Sequence, residues 1–111
     1  WINAEDPDHN FRPAAGTVTT FHMPGGPGIR IDSHAYSGYH IPSHYDSLLA
    51  KLIAYGEDRE EAVARMVRAL QEFVIEGVPT TIPFHLTALN HSDFQNGQIA
   101  TNFVQNLGYG W

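Results

Sequence analysis

Apolar positions in this chain change their period partway along. Short runs of strand character come first, and helical spacing follows. Residues 3–16 are rich in Asp, Asn, Pro, Ala and Gly, a composition for loops and turns. Residues 17–21 (T-V-T-T-F) are β-branched and aromatic and predict a strand. Met23-Pro24-Gly25-Gly26-Pro27-Gly28 breaks the chain, and residues 29–32 alternate apolar and polar as a half-buried strand does. These two strands predict a hairpin around the glycines. A short extended piece around Ile41 carries Pro42, which places it near a sheet edge. Residues 48–55 are nearly all apolar and are followed by Gly56, predicting a central strand.

Beyond that point the spacing predicts a helix over residues 59–76. Asp58 is a natural N-cap, with Glu61 three residues on as in a capping box. Val63, Met66, Val67, Leu70, Phe73 and Val74 form one apolar stripe, and Glu61 precedes Arg65 at i, i+4. Phe73-Val74-Ile75 has an alternative, peeling into a strand before Gly77. Thr80 or Thr81 can cap a second helix with Pro83 in its first turn, burying Phe84, Leu86 and Leu89. Residues 92–97 read as a turn or short helix, and residues 102–104 as the start of a last helical turn. Strands first and helices later predict an α+β fold, with an antiparallel sheet and helices packed on one face.

Composition narrows the function. With 111 residues and 42% hydrophobic positions, the chain makes one domain with a packed core. Twelve acidic against 6 basic residues give a net charge of −6. That balance argues against tracking nucleic-acid phosphates and against anionic lipid, leaving solubility as the ordinary role of the charge. The absence of cysteine excludes disulfides, thiolate metal sites and thiol nucleophiles, and favours a reducing cytoplasm. No apolar run approaches the ~20 residues of a membrane span. The opening Trp1-Ile2-Asn3 reads like the middle of a longer protein, and the origin of the tail at residues 106–111 is open.

Few residues offer chemistry by themselves. His34, His40 and His44 suggest a metal site, but His40 and His44 flank Pro42, which disfavours the helical i, i+4 geometry, and surface or core histidines are the ordinary reading. Gly25-Gly26-Pro27-Gly28 resembles a phosphate loop superficially; two prolines intrude and a strand follows, so a turn is expected. Glu5-Asp6 sits in an Asp-Pro turn and suits local capping more than acid–base work. Metal binding is not expected.

A family resemblance goes further. I-N-A-E-D-P (residues 2–7), G-T-V-T-T-F (16–21), G-G-P-G-I-R-I-D-S (25–33) and H-Y-D-S-L-L-A-K-L-I-A-Y-G (44–56) closely resemble the biotin carboxylases. So do E-D-R-E-E-A-V-A-R-M (57–66), E-F-V-I-E-G-V-P-T-T-I-P-F-H (72–85), D-F-Q-N-G (93–97) and T-N-F-V (101–104), in the family's order. Only the family's C-terminal domain is represented, so residues 1–111 are expected to be that domain of a larger enzyme. The resemblance implies a parent in which ATP activates bicarbonate and the carboxyl group passes to biotin on a carrier protein. ATP, magnesium and biotin belong to the complete enzyme, and no cofactor is assigned to this segment alone. Implied partners are the remaining biotin carboxylase chain, the biotin carboxyl carrier protein, a carboxyltransferase and a second copy in a homodimer. The I-N-A-E-D-P string favours the acetyl-CoA carboxylase type of fatty-acid synthesis; pyruvate and propionyl-CoA carboxylases remain alternatives. A non-catalytic dimerisation or scaffold module is the rival class.

The resemblance also carries residues over. A family catalytic arginine immediately precedes the I-N-A-E-D-P motif; here that position is Trp1, whose indole N–H is one neutral donor, so no catalytic residue is assigned. Phe103 matches an apolar contact of the ATP adenine, with core packing as the equal alternative. Arg30 and Pro27 match dimer-interface positions, although the family more often has an aromatic where Pro27 stands, and Asp46 is a further candidate for that surface.

Overall fold

The computed structural model describes residues 1–42, 47–97 and 102–108. In chain order β1 (Ile2–Asn3) and β2 (Glu5–Asp6) lead through a 3-10 turn (Pro7–His9) to β3 (Arg12–Pro13), β4 (Gly16–Thr17), β5 (Thr20–His22), β6 (Ile29–Ser33), β7 (His40–Ile41) and β8 (Leu48–Ala54). Helix α1 (Arg59–Glu72) follows, then β9 (Val74–Glu76), α2 (Ile82–Asn90), α3 (Ser92–Gln95) and α4 (Phe103–Asn106). The strand pairings are antiparallel: β8 lies between β1 and β6, while β2–β3, β4–β7 and β5–β9 form separate two-stranded ladders. The α+β class and the central position of β8 are as the pattern predicts. No helix among the described residues is long and apolar enough to cross a membrane.

Two sequence expectations are corrected. The hairpin around the glycines does not form. Residues 17–21 divide between β4 and β5, and β5 pairs with β9 rather than with β6. The interposed segment prevents direct return: Gly26, between Pro24 and Pro27, and Gly28, just after Pro27, take φ of 110° and 73°, and the Tyr55 N–H donates to the Gly28 carbonyl at 2.7 Å, extending the β6–β8 ladder instead. Phe21 meets the Phe73 ring edge to face at 5.6 Å, which fixes β5 against β9. The helix also ends earlier, at Glu72; residues 74–76 take the strand alternative because their edge completes β5.

Local chemistry explains α1. The Asp58 carboxylate accepts the Glu61 N–H at 2.8 Å, capping the first turn. The Glu61 side chain does not close a capping box; it pairs with Arg65 at 2.7 Å. The stripe then buries Ala69 and Leu70 against β8, with Val63, Met66 and Val67 partly buried around them. Phe73, just past the helix, is buried in the same core.

Strand alternation puts neighbouring β8 residues on opposite faces. Ala50 and Leu52 face a core shared with Ile2, Leu70, Phe73, Ile82 and Leu89. Leu49 joins a smaller cluster with Ala4, Val18 and Ile41. Phe21 and Ile75 pack against both clusters.

Candidate functional site

The most constrained polar cluster lies where β1 meets the start of α2. The Asn3 N–H donates to Thr81 Oγ1 and the Thr81 N–H donates to the Asn3 carbonyl, both at 3.1 Å. One helical turn on, His85 Nε2 lies 2.7 Å from the Trp1 carbonyl. A carbonyl can only accept, so this ring nitrogen carries a proton. Thr81 thus spends its hydroxyl on β1 and makes no cap for α2; Thr80 Oγ1 instead accepts the Ile82 N–H at 3.4 Å. Burial pushes the His85 pKa below its ordinary value, an effect opposed by its bond to Trp1 and reinforced by the terminal amine.

Around this clamp the chain offers a polar floor and aromatic walls. The Asn3 side-chain amide donates to Glu5 Oε1 at 3.2 Å and the Ser47 hydroxyl donates to Glu5 Oε2 at 3.3 Å, while Asn3 Oδ1 is buried without a protein partner. A cavity of about 370 Å³ opens here, bounded by Trp1, Asn3, Glu5, Phe11, Phe84 and His85. The Phe11 and Phe84 rings meet edge to face at 5.0 Å. A second cavity, of about 170 Å³, runs behind Trp1 towards Leu52, Met66 and Leu70. Trp1 is itself 68% exposed, with the Lys51 ammonium 4.8 Å from its ring.

The sequence-derived residues do not converge on that cluster. Phe103 is buried at the far end of the chain, edge-on to His91 at 5.4 Å and tilted against Phe94 at 6.4 Å. Arg59 braces this group: its guanidinium lies 5.1 Å over the Phe94 ring and donates to the Phe94 carbonyl at 2.6 Å. Arg30 is exposed on β6, opposite Ile53, and pairs with Asp32 at 3.2 Å. Asp32, and after it Tyr55, hold the Arg30 guanidinium above its usual value. Pro27 is exposed in the preceding turn. Asp46 and His44 lie outside the described residues. His34 meets Tyr39 edge to face at 5.4 Å and His40 Nδ1 lies 3.2 Å from Thr17 Oγ1; among the described residues no three metal-ligating groups come together. The Gly25–Gly28 segment docks on α1, where Arg68 donates to the Gly25 carbonyl at 3.4 Å, and it opens into a strand as expected of a turn.

Sequence reasoning missed His85 and Thr81 as a pair. Their i, i+4 spacing was available, but nothing local says that they reach back to residues 1 and 3.

An α+β domain whose first strand is locked by its late helix, with two cavities against residue 1, is the class this geometry defines. The family model of the biotin carboxylase C-terminal domain matches residues 1–106, and the chain belongs to that family. It is 55% identical over 106 residues to a biotin carboxylase of Nostoc, covering 96% of this chain and 24% of that protein. It is 56% identical over 104 residues to biotin carboxylase 1 of Bacillus subtilis, covering 94% of this chain and 23% of that one. The chain therefore spans about a quarter of these relatives' length. Among solved structures it superposes with a TM-score of 0.93 and 40% identity on the biotin carboxylase domain dimer of Hydrogenobacter thermophilus 2-oxoglutarate carboxylase, in complex with MgADP, ADP and bicarbonate, covering 99% of this chain and 25% of that one.

Proposed function

We propose that this domain serves a cytoplasmic biotin carboxylase, of the acetyl-CoA carboxylase type, that uses ATP and bicarbonate to carboxylate biotin on its carrier protein for transfer by a carboxyltransferase. The observation that carries the reading is the near-complete superposition, at 40% identity, on a biotin carboxylase domain whose complex holds MgADP and bicarbonate. The acetyl-CoA type rests on the I-N-A-E-D-P string at residues 2–7.

On this reading the domain contributes framework and surfaces rather than reacting groups. Phe103 offers an apolar wall to adenine, its buried ring packed with His91 and Phe94. Bound ATP and magnesium supply the activation of bicarbonate. Position 1 faces the reaction, and the indole of Trp1 lacks the permanent charge that stabilises a developing oxyanion. Arg30, with Pro27, belongs to the homodimer surface, where an exposed guanidinium next to Asp32 can exchange partners across a twofold axis; Asp46 is a further candidate from the family resemblance alone.

The isolated chain should neither hydrolyse ATP nor carboxylate biotin, and its ATP Kd should exceed roughly a millimolar, worth only ~4 kcal/mol. Calorimetry with ATP and magnesium, together with phosphate release in the presence of bicarbonate and free biotin, measures both. Fusion to the upstream region of a biotin carboxylase, with arginine at position 1, should restore turnover. A fusion that folds, binds ATP and stays inactive refutes the reading. In that enzyme Arg30→Glu should raise the dimer dissociation constant, measured by sedimentation, and leave the fold intact; an unchanged constant removes Arg30 from the interface.

A further inference from the structure

β1 has β8 on one side only. Ile2 and Asn3 pair with Ala50 and Leu48 across a shift in register between them, and the Ala4 N–H continues the contact to the Ser47 carbonyl at 2.8 Å. Peptide groups along a strand alternate in direction, so residues 1 and 3 present theirs to the opposite, open side. Among the described residues no strand lies there. Thr81 and His85 take its place, bonding Asn3 twice and the Trp1 carbonyl once. The spacings explain the fit: four residues of helix rise about 6 Å, and two residues of strand span about 6.6 Å. One turn at the start of α2 therefore matches one strand repeat of β1.

We propose that His85 is a positioning residue for position 1: with Thr81 it clamps the free edge of β1 and so fixes where the residue-1 side chain leaves the strand. This deepens the functional reading above and rests on it, because position 1 is where the family's catalytic arginine stands in the likeness. Within this domain the Trp1 side chain is 68% exposed, with the Lys51 ammonium 4.8 Å from its ring. The His85 residue also borders both cavities that touch Trp1, of about 170 and 370 Å³. The His85 hydrogen bond acts on the backbone of residue 1 itself, at its carbonyl. Phe84, 5.4 Å from the imidazole, steadies the ring that makes it.

Two variants of the full chain test the clamp. His85→Ala deletes the donor; His85→Gln keeps an amide N–H that can reach the same carbonyl. In a nitrogen–proton correlation spectrum, the Ile2 amide shares its peptide unit with the Trp1 carbonyl. Its signal and that of the Trp1 indole should move in His85→Ala and return towards wild type in His85→Gln, while the Asn3 amide stays protected by Thr81. Unmoved Ile2 and Trp1 signals in a folded His85→Ala chain overturn the proposal. So does an equal displacement in both variants, which means lost packing. If His85→Ala does not fold, His85→Gln decides: a retained Ile2 shift supports the clamp and a displaced one overturns it.

In the assembled carboxylase with arginine at position 1, His85→Ala should lower kcat for biotin carboxylation on the order of ten- to a hundredfold. The KM for ATP should be unchanged, and His85→Gln should recover the rate. A raised KM with kcat intact overturns the positioning role. A wild-type assembly that never carboxylates biotin overturns the functional reading alone, and the Ile2 signal still decides the clamp.

Discussion

The two sides of β8 are held together differently. The larger core joins Ala50 and Leu52 to the α1 stripe and to Ile82 and Leu89, so whole elements meet through rows of side chains. The smaller one collects Ala4, Val18, Ile41 and Leu49 from four separate stretches, most of them in or beside two-residue strands. There the backbone does most of the joining. Val18 N–H donates to the Tyr39 carbonyl at 2.8 Å, Gly38 N–H to the Val18 carbonyl at 2.7 Å, and Thr19 N–H to the Glu76 carbonyl at 2.8 Å. A helix stripe tolerates small adjustments of the main chain, because side chains repack. A crossing of short ladders does not, since each peptide group has one partner at one place.

The contrast predicts where each side breaks. Leu70→Ala should cost the most, about 2–5 kcal/mol, by opening a cavity in the larger core. An unchanged urea midpoint would remove α1 from that core. On the other side the damaging change adds atoms to the backbone. Gly77 has φ 103°, and a Cβ there would strike the Thr17 carbonyl and the Thr19 amide. Gly77→Ala should cost about 1–3 kcal/mol and should speed amide exchange at Val18 and Thr19 before it touches α1. Uniform acceleration across the domain would show instead that the two cores open as one unit.

The smallest effect concerns pH. His85 is held below its ordinary pKa of 6.5 chiefly by burial, so below that pH the unfolded chain takes a proton that the folded chain refuses. Stability should therefore fall as the pH drops through the region just below 6.5, and the fall should be complete below the folded pKa. His85→Gln should flatten that part of the profile in denaturant melts between about pH 5 and pH 7.5. An identical slope in the variant assigns the proton uptake elsewhere.

The same contrast governs what could be read from the chain. The α1 stripe from Val63 to Leu70, its Asp58 cap and the apolar run of β8 are local patterns, and each appears where the spacing puts it, while the stripe's last positions, Phe73 and Val74, fall beyond the helix end. The small ladders carry no such pattern, because two residues hold no period. Residues 17–21 read as one strand because T-V-T-T-F is uniformly β-forming, yet Val18 turns inward and Thr20 begins a new ladder with β9. Nor does the i, i+4 pair Thr81 and His85 reveal its targets: Thr81 looks like a cap, and only the arrival of Asn3 diverts its hydroxyl. Exposed Arg30 and buried Phe103 differ little as letters; their surroundings on β6 and α4 separate them.

The bond between Asn3 and Thr81 joins positions 78 apart in the chain, and this has a consequence for time. β1 also needs β8, β4 needs β7 and β5 waits for β9, so of the early strands only β2 and β3 can pair while the chain is short. Pairings across such distances must close large loops before they are rewarded, which slows folding relative to a helical bundle of equal size. During synthesis β1, β4 and β5 emerge before their partner strands, and the outer edge of β1 stays open until Thr81 and His85 have followed. The N-terminal third is then the stretch that depends most on whatever precedes it, or on a chaperone, to avoid pairing with another chain.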